Sequence, residues 1–443
     1  MDFRELMAKL YRIFLSVMLV AAGLGLSVWS YFFFKWNKLR LSDLYVYLST
    51  HILLAFLAIV ILRYALLIWF AYLQHIEHMQ EPPETDEYPL VTLIVPAYNE
   101  GVVLEAAVDG LMAIDYPRFE VLVVDDGSTD DTYPEALRLI GVYGRERLRV
   151  ITKPNGGKAS ALNTGIANAR GELILCMDGD SRLEPQTLKQ AVKHFADPSV
   201  GAVAGDVKVV NRLNLLTKLQ ALEYIEGLSL VRTAHAFFRR VMVIPGPIGV
   251  FRKEVLEEIG GYFQDTYAED CELTLRVLLA GWKVKHESRA VAWTEAPESL
   301  QAFFKQRYRW SRGILQAVIK HKGQLLKPYP NVLDWFFMWL VVFESMVWPG
   351  MDVFGILFFI FVAYGVGLST ILVLWWAQLT VLDIVAAVFC IALEKEDLRL
   401  AIHAVVYRLF FVPYLDTIKF FASLDELFGV KMGWGKLERF GRI

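Results

Sequence analysis

Cysteine is almost missing from this 443-residue chain. Its three copies, Cys176, Cys271 and Cys390, stand alone, which excludes a disulfide framework and the paired spacing of a zinc site. Isolated thiols agree with a reducing, cytosolic setting for the part of the chain that carries them. Excess charge of either sign is also lacking: the formal net charge is −3, which gives no basic footprint for nucleic acid. The glycine stretch "KPNGGKASALN" (153–163) has neither P-loop spacing nor a nearby G-x-G-x-x-G. Neither fingerprint can therefore be used to argue nucleotide binding.

Apolar residues are what the chain has in plenty. They make up 55% of it, with 14% aromatic, which is too apolar for an ordinary soluble protein of this length and implies membrane spans. Residues 14–34 carry no charge and are long enough to cross a bilayer. The short charged lead-in, with no small-residue cleavage site after the apolar run, reads as an anchor and not a removable signal peptide. A second span is expected over 46–73, with Arg63 inside it. Later spans are expected near 348–367, 369–392 and 400–422. The stretch 333–345 reads either as an interfacial helix or as the first half of a span kinked at Pro349. Arg63, Glu344 and Asp352 lie in or near apolar spans, where such residues line a polar cavity or pair with one another. Basic residues Lys431, Lys436, Arg439 and Arg442 favour a cytosolic tail, whereas Lys35, Lys38 and Arg40 pull the other way.

Between the spans the composition turns ordinary, over a length sufficient for one domain. The proline-rich acidic segment 81–89 separates it from the second span. Short β-branched runs then alternate with helical patterns. Strands are expected at 91–95, 119–125, 148–152 and 172–178, and helices over 101–113, from 130, over 157–169 and over 185–196. That alternation predicts an α/β domain on a parallel sheet, whose ligands bind beyond the carboxyl ends of the strands.

The polar motifs sit at those ends. "PAYNE" (96–100) closes the first strand and "DDGSTD" (125–130) the second. The latter reads either as a turn with a helix cap or as a nucleoside site, with Asp126 accepting hydrogen bonds, Tyr98 packing on the ring and Glu100 facing the same cleft. Lys158, opening a helix, adds charge where helix N-termini already favour anions. "MDGDS" (177–181) sets Asp178 and Asp180 two residues apart, which reads either as a solvated loop or as a pair able to point the same way and hold Mg²⁺ or Mn²⁺ through oxygen, the latter favoured by the apolar strand before it. "YAEDCELTL" starts a helix with Glu269 and Asp270, which either complement the helix dipole or supply a general base. In "FKQRYRWSRG" (304–313) cations sit beside aromatics just ahead of an apolar region, the pattern of an interfacial anchor.

Together these elements resemble the processive, membrane-embedded family 2 glycosyltransferases: poly-β-1,6-N-acetylglucosamine, chitin, hyaluronan and cellulose synthases. The matching pieces are Asp126 in "VDDGS", Asp178 to Asp180, the Glu269–Asp270 pair, and "QRYRW" (306–310), which fits Q-x-x-R-W. Where many relatives have Thr before the Glu-Asp pair, this chain has Ala268. The resemblance implies a Rossmann-like α/β domain of GT-A type, cytosolic, over 88–300. It would be inserted between two N-terminal transmembrane helices in 1–80 and C-terminal ones in 331–425. Interfacial helices would occupy 300–330 and a basic cytosolic tail 426–443. It further implies Asp270 as base beside Glu269. Pro96, Tyr98, Glu100, Asp126, Lys158 and Asp178 would meet the donor, and Asp178 with Asp180 the metal. Gly246, Gln306, Arg309 and Trp310 would meet the acceptor and diphosphate. Arg suits phosphate through its planar fork, and Trp suits a sugar's apolar face.

The expected activity is inverting, processive transfer from a UDP-sugar, with UDP-N-acetylglucosamine first, onto a growing β-linked polysaccharide that leaves through an inner (plasma) membrane. Mg²⁺ or Mn²⁺ is the expected cofactor, the bilayer and a small membrane subunit the expected partners, and nucleic acid is not among them. Two alternatives stay open: non-processive transfer of one sugar to a lipid carrier, and a catalytically silent membrane subunit.

Overall fold

The structure, a computed structural model, describes residues 41–80, 87–178, 181–327, 332–366 and 370–430. The expected span at 14–34, Asp180, and residues 431–443 of the expected tail lie outside the described residues.

Four strands lie parallel in the order β3-β2-β1-β4: β1 (Val91–Ala97), β2 (Phe119–Asp125), β3 (Leu148–Thr152) and β4 (Leu173–Cys176). Four more complete an eight-stranded sheet: β5 (Ser181–Leu183), β6 (Val200–Val209), β7 (Gly249–Arg252) and β8 (Lys283–Thr294), added as β7-β6-β8-β5 beyond β4. Here the expectation of a parallel sheet fails in part. β7 runs antiparallel to β4 and β6, and β5 antiparallel to β8. The reversal has a use: Gly249 pairs with Cys176, so the loop before β7 is delivered to the carboxyl end of β4.

All seven residues of β2 are buried, as expected of a strand covered on both faces. Side-chain alternation divides the core. Val91, Leu93 and Val95 face helices α1 (Gly101–Met112) and α2 (Thr132–Tyr143) through Leu104, Val108 and Leu139. Ile94, Leu122 and Val124 face α3 (Lys158–Asn168) and α4 (Glu269–Leu279) through Leu162, Ile166, Leu273 and Val277. Each fully buried Leu, Ile or Val contributes roughly 1.5–3 kcal/mol. On the second face Thr92 donates to Glu120 (2.8 Å), whose charge Arg149 balances at 3.2 Å.

Among the described residues, three helices are long and apolar enough to cross a membrane: Val46–Gln80, Val332–Ile360 and Leu398–Leu427, joined by a shorter apolar helix, Ala377–Leu393. In the first, Leu48, Ile52, Ile59, Leu62 and Leu66 point outward while Leu53, Phe56, Leu57, Val60 and Ile61 are buried. Residues 333–345 are the first half of the second long helix. Pro349 does not break that helix. Its ring takes away an N–H and crowds the carbonyl four residues back, at Ser345. The chain widens into a π turn over Phe343–Val347, and the Ser423 hydroxyl donates to the Ser345 carbonyl at 3.0 Å. A second π turn, Tyr407–Phe411, precedes Pro413 in the same way.

Polar residues among these helices pair off. Arg63 reaches Glu344 through Nε (2.9 Å) and Nη2 (2.5 Å), its guanidinium 4.9 Å from the Trp348 ring centre. Arg408 lies 3.5 Å from Asp383, to which Tyr64 donates at 3.2 Å. The cavity that Asp352 and Arg408 line has about 30 Å³ of room, enough for water and too little for a sugar ring.

Helix α5 (Leu300–Lys320), capped by Ser299 through the Ala302 N–H at 3.2 Å, carries the Q-R-Y-R-W segment. Phe303 plugs it into a buried cluster with Leu67, Ile68 and Phe411 from the apolar helices, and with Leu222 and Ile225 from the α/β domain. Further along, Gly313 lies on the turn that starts α4: a Cβ there would come 2.6 Å from the Ala268 Cβ and from the Tyr267 carbonyl carbon. Both neighbours are short or backbone, so neither can yield. Gly313→Ala is expected to lower unfolding stability by about 1–3 kcal/mol, the range for overpacking, measured as the shift in thermal midpoint of detergent-solubilised protein.

Candidate active site

At the end of β1 the chain turns at Asn99, which takes a left-handed φ of 54°. Asn99 donates from its backbone to the Ser128 hydroxyl (3.0 Å) and accepts from the Thr129 N–H (2.9 Å), which laces the β1 and β2 exits together. The Glu100 N–H donates to Thr132 at 2.8 Å. Pro96 lies within β1, and Tyr98 stands 39% exposed at the rim.

The two aspartates of "DDGS" divide the work at the end of β2. Asp125 accepts from the Ser128 N–H (3.1 Å) and the Thr152 hydroxyl (2.7 Å), tying β2 to its own turn and to β3. Asp126, 3% exposed, accepts from Lys153 Nζ (2.5 Å) and the N–H groups of Gly156 (3.0 Å) and Gly157 (2.7 Å). It therefore holds the glycine loop against the sheet. Gly127 makes this approach possible: its φ is 72°, and a Cβ would lie 2.8 Å from the Asn155 nitrogen.

That loop leads into α3, whose first residue reaches across the cleft. Lys158 Nζ lies 2.6 Å from Asp178 and 2.9 Å from Glu269. Burial works against its charge, but the two carboxylates outweigh this and hold the ammonium well above its usual range. Glu269 is opposed by burial too, yet Lys158 keeps its carboxyl below the usual range. Asp270 differs. Burial, with the Glu269 charge beside it, pushes its carboxyl up to about 6, and the Cys271 N–H at 2.8 Å offsets only part of this. One acid of the pair is thus kept ionised and the other exchanges a proton near neutrality.

The loop before β7 completes the cleft. A Cβ on Gly246 would lie 2.9 Å from Asp178 Oδ2, so only glycine lets this backbone approach the carboxylate. The Ile244 N–H donates to Thr274 Oγ1 (3.0 Å), which donates to the Asp270 carbonyl (2.7 Å), fastening the loop to α4. Lys158, Gly246, Glu269 and Asp270, with Tyr262 and Pro245, line one small cavity.

The expected site residues thus fall in two groups. Lys158, Asp178, Gly246, Glu269 and Asp270 meet in the cleft, with Tyr98, Glu100 and Asp126 at the neighbouring strand ends. Gln306, Arg309 and Trp310 lie on α5, and none of them lines that cavity. Gln306 is buried and accepts from Arg307 at 2.5 Å. Trp310 packs against the buried cluster that includes Tyr224, Ile248 and Ala296. Arg307 and Glu223, which sequence reasoning passed over, form a buried ion pair at 2.6 Å. Arg307 was in plain view inside Q-R-Y-R-W, and an acid within the apolar run 215–231 was the other available signal.

Oxygen ligands suit Mg²⁺ or Mn²⁺, and carboxylates that draw a lysine between them need positive charge. The described part of the donor set fits such an ion. Among the described residues one other group has metal-like spacing, His78, His194 and Glu287. There Lys193 (2.8 Å) and Arg289 (3.0 Å) already neutralise Glu287, so we read it as an ion cluster that ties the end of the first apolar helix to β8.

A mixed sheet with helices on both faces and acidic side chains at its strand ends is the GT-A-like glycosyltransferase fold. Residues 89–313 match the family described as "Glycosyltransferase like family 2", and the chain belongs to it; it is a transferase. It is 26% identical over 284 residues to a Poly-beta-1,6-N-acetyl-D-glucosamine synthase of Staphylococcus aureus (strain COL), covering 63% of this chain and 67% of that one. To the Probable glycosyltransferase YdaM of Bacillus subtilis (strain 168) it is 27% identical over 372 residues, 80% of this chain and 88% of that one. Among solved structures, the mannosyltransferase PcManGT from Pyrobaculum calidifontis, in complex with GDP-Man and Mn²⁺, shares the fold. The TM-score is 0.59 at 22% identity, over 83% of this chain and 99% of that one.

Gly246→Ala is expected to displace the Asp178 carboxylate and cut glycosyl transfer by about tenfold or more, with an unchanged thermal midpoint. Initial rates beside a melting curve check this.

Proposed function

We propose that the protein is an inverting, processive glycosyltransferase that builds a β-linked polysaccharide from a UDP-sugar, UDP-N-acetylglucosamine first, and passes it across the membrane in which it is embedded. The observation that carries the reading is the Lys158–Asp178–Glu269–Asp270 constellation, whose two adjacent acids follow a turn that packs, through Ala268, against Gly313 of the helix that bears Q-R-Y-R-W. In this reading the donor chemistry and the residues that would meet the acceptor belong to packed neighbours. Similarity to poly-β-1,6-N-acetylglucosamine synthases supports the choice of product class.

In this reading the domain at 88–300 faces the cytosol, where nucleotide sugars are. Pro96, Tyr98, Glu100 and Asp126 form the nucleoside end of the donor site. Lys158 leaves the carboxylates for the diphosphate as donor enters, and Arg309 closes on the same phosphates. A divalent ion held by Asp178 and Asp180 would neutralise charge on the leaving diphosphate. Asp270 takes the proton of the acceptor hydroxyl, which attacks the anomeric carbon opposite the diphosphate; an α-linked donor then gives a β-linked product. Gln306 and Trp310 hold the acceptor. Positioning and charge neutralisation supply most of the acceleration.

A second reading is single-sugar transfer to a lipid carrier. The packing among the described apolar helices favours it, since Arg63 and Glu344 pair and the cavity beside Asp352 and Arg408 is too small for a sugar. The two readings separate on product length. The protein in lipid nanodiscs with Mg²⁺ or Mn²⁺ is given UDP-glucose, UDP-N-acetylglucosamine and UDP-glucuronate singly and in pairs. A long ladder from one donor is expected; a single lipid-linked sugar would move the assignment to the second reading.

The same assay tests the base. Because the Asp270 carboxyl lies at about 6 and acts ionised, kcat/KM is expected to rise with pH through about 6 and level off above it. Asp270→Asn should lose about 10²–10⁴-fold together with that rising limb. Retained activity in this variant would remove Asp270 from the mechanism.

A further inference from the structure

We propose that Arg307 is a positioning residue for acceptor binding: through a fixed fork on Glu223 it sets the geometry of both Gln306 and Trp310. The proposal rests on the reading of those two side chains as acceptor-facing.

Arg307 is 3% exposed and Glu223 6%. Its Nε donates to Glu223 Oε1 at 3.0 Å and its Nη2 to Oε2 at 2.6 Å, a two-pronged contact that fixes the plane of the guanidinium. The third prong, Nη1, donates to Gln306 Oε1 at 2.5 Å. An amide whose oxygen is taken in this way presents its NH₂ outward, so Gln306 is set to donate to a sugar hydroxyl oxygen. The flat face of the same guanidinium lies 4.2 Å from the Trp310 ring centre and 4.8 Å from that of Phe303. Phe303, Arg307 and Trp310 follow one another at four and three residues along α5, and so share one face of the helix. The Trp310 ring is backed by a cation that cannot turn.

Glu223 belongs to the other side of the junction. It opens the π turn Glu223–Ser229, where the α/β domain meets the apolar helices, and its neighbours Leu222 and Ile225 join the cluster around Phe303. The fork therefore registers α5 against the domain at the point where the acceptor-facing residues lie. Lysine cannot replace it: an ammonium is a point charge with no plane to stack and no fork to lock.

The test titrates an acceptor oligosaccharide at saturating donor, and donor at saturating acceptor, on protein in nanodiscs. Arg307→Lys is expected to raise the acceptor KM by about tenfold and shorten the products, with the donor KM within about twofold of the parent. Because a lone buried Glu223 could unfold the protein, the double variant Glu223→Met/Arg307→Met, which removes both charges, is measured alongside and is expected to show the same split. Trp310→Ala separates the two layers of the argument. If it leaves the acceptor KM unchanged, the acceptor reading fails and this proposal with it. If Trp310→Ala raises the acceptor KM while both Arg307 variants match the parent, positioning by Arg307 is overturned and the reading stands. A parallel rise of donor and acceptor KM in the double variant would mark a general structural role and also overturn it.

Discussion

One ammonium between two carboxylates organises this cleft. Lys158 comes from the start of a helix, Asp178 from the end of a strand, and Glu269 from the start of another helix, so three separate segments converge on a single charge. Without it, two half-buried acids would face each other and at least one would take up a proton. With it, Glu269 stays ionised, while burial first, and the Glu269 charge second, keep Asp270, one residue on, from ionising early. Adjacent acids thus divide the work because Lys158 reaches one of them and burial dominates at the other.

Around this centre the strand ends are braced by side chains more than by backbone. Asn99 and Thr132 hold the first two exits to each other, Asp125 ties the second to β3, and Asp126 holds the glycine loop from which Lys158 projects. The lysine's position is therefore inherited from Asp126. Damage to the second strand's terminus would be felt at the carboxylates through the loop, with no direct contact needed.

Local pattern made much of this legible beforehand. β2 and β3 appear at 119–125 and 148–152 as expected, because β-branched runs bounded by turn residues have few other solutions. Glu269 and Asp270 open their helix as expected. What could not be read were pairings between distant segments. The antiparallel β7 is set by what lies beside β4, not by its own four residues. The Arg307–Glu223 fork and the Glu287 cluster each join residues whose local contexts look unremarkable. The stretch 333–345 was ambiguous because a proline reads as a break; it is the Ser423 hydroxyl, supplied by another helix, that lets the chain continue past Pro349. Asp180, the second acid of "DGD", lies outside the described residues, so its part in the site is still an expectation from sequence.

The contact between Gly313 and Ala268 carries a consequence for how such proteins diverge. Here the helix that carries Q-R-Y-R-W touches the turn before Glu269 through two of the smallest residues available, backbone against methyl. Volume added at either position has to be removed at the other, or the helix must ride higher and the cleft open with it. The two sites therefore behave as one inherited unit. Ala268 is then half of a matched pair, and the spacing between the helix and the turn is a trait that change at one position cannot alter alone.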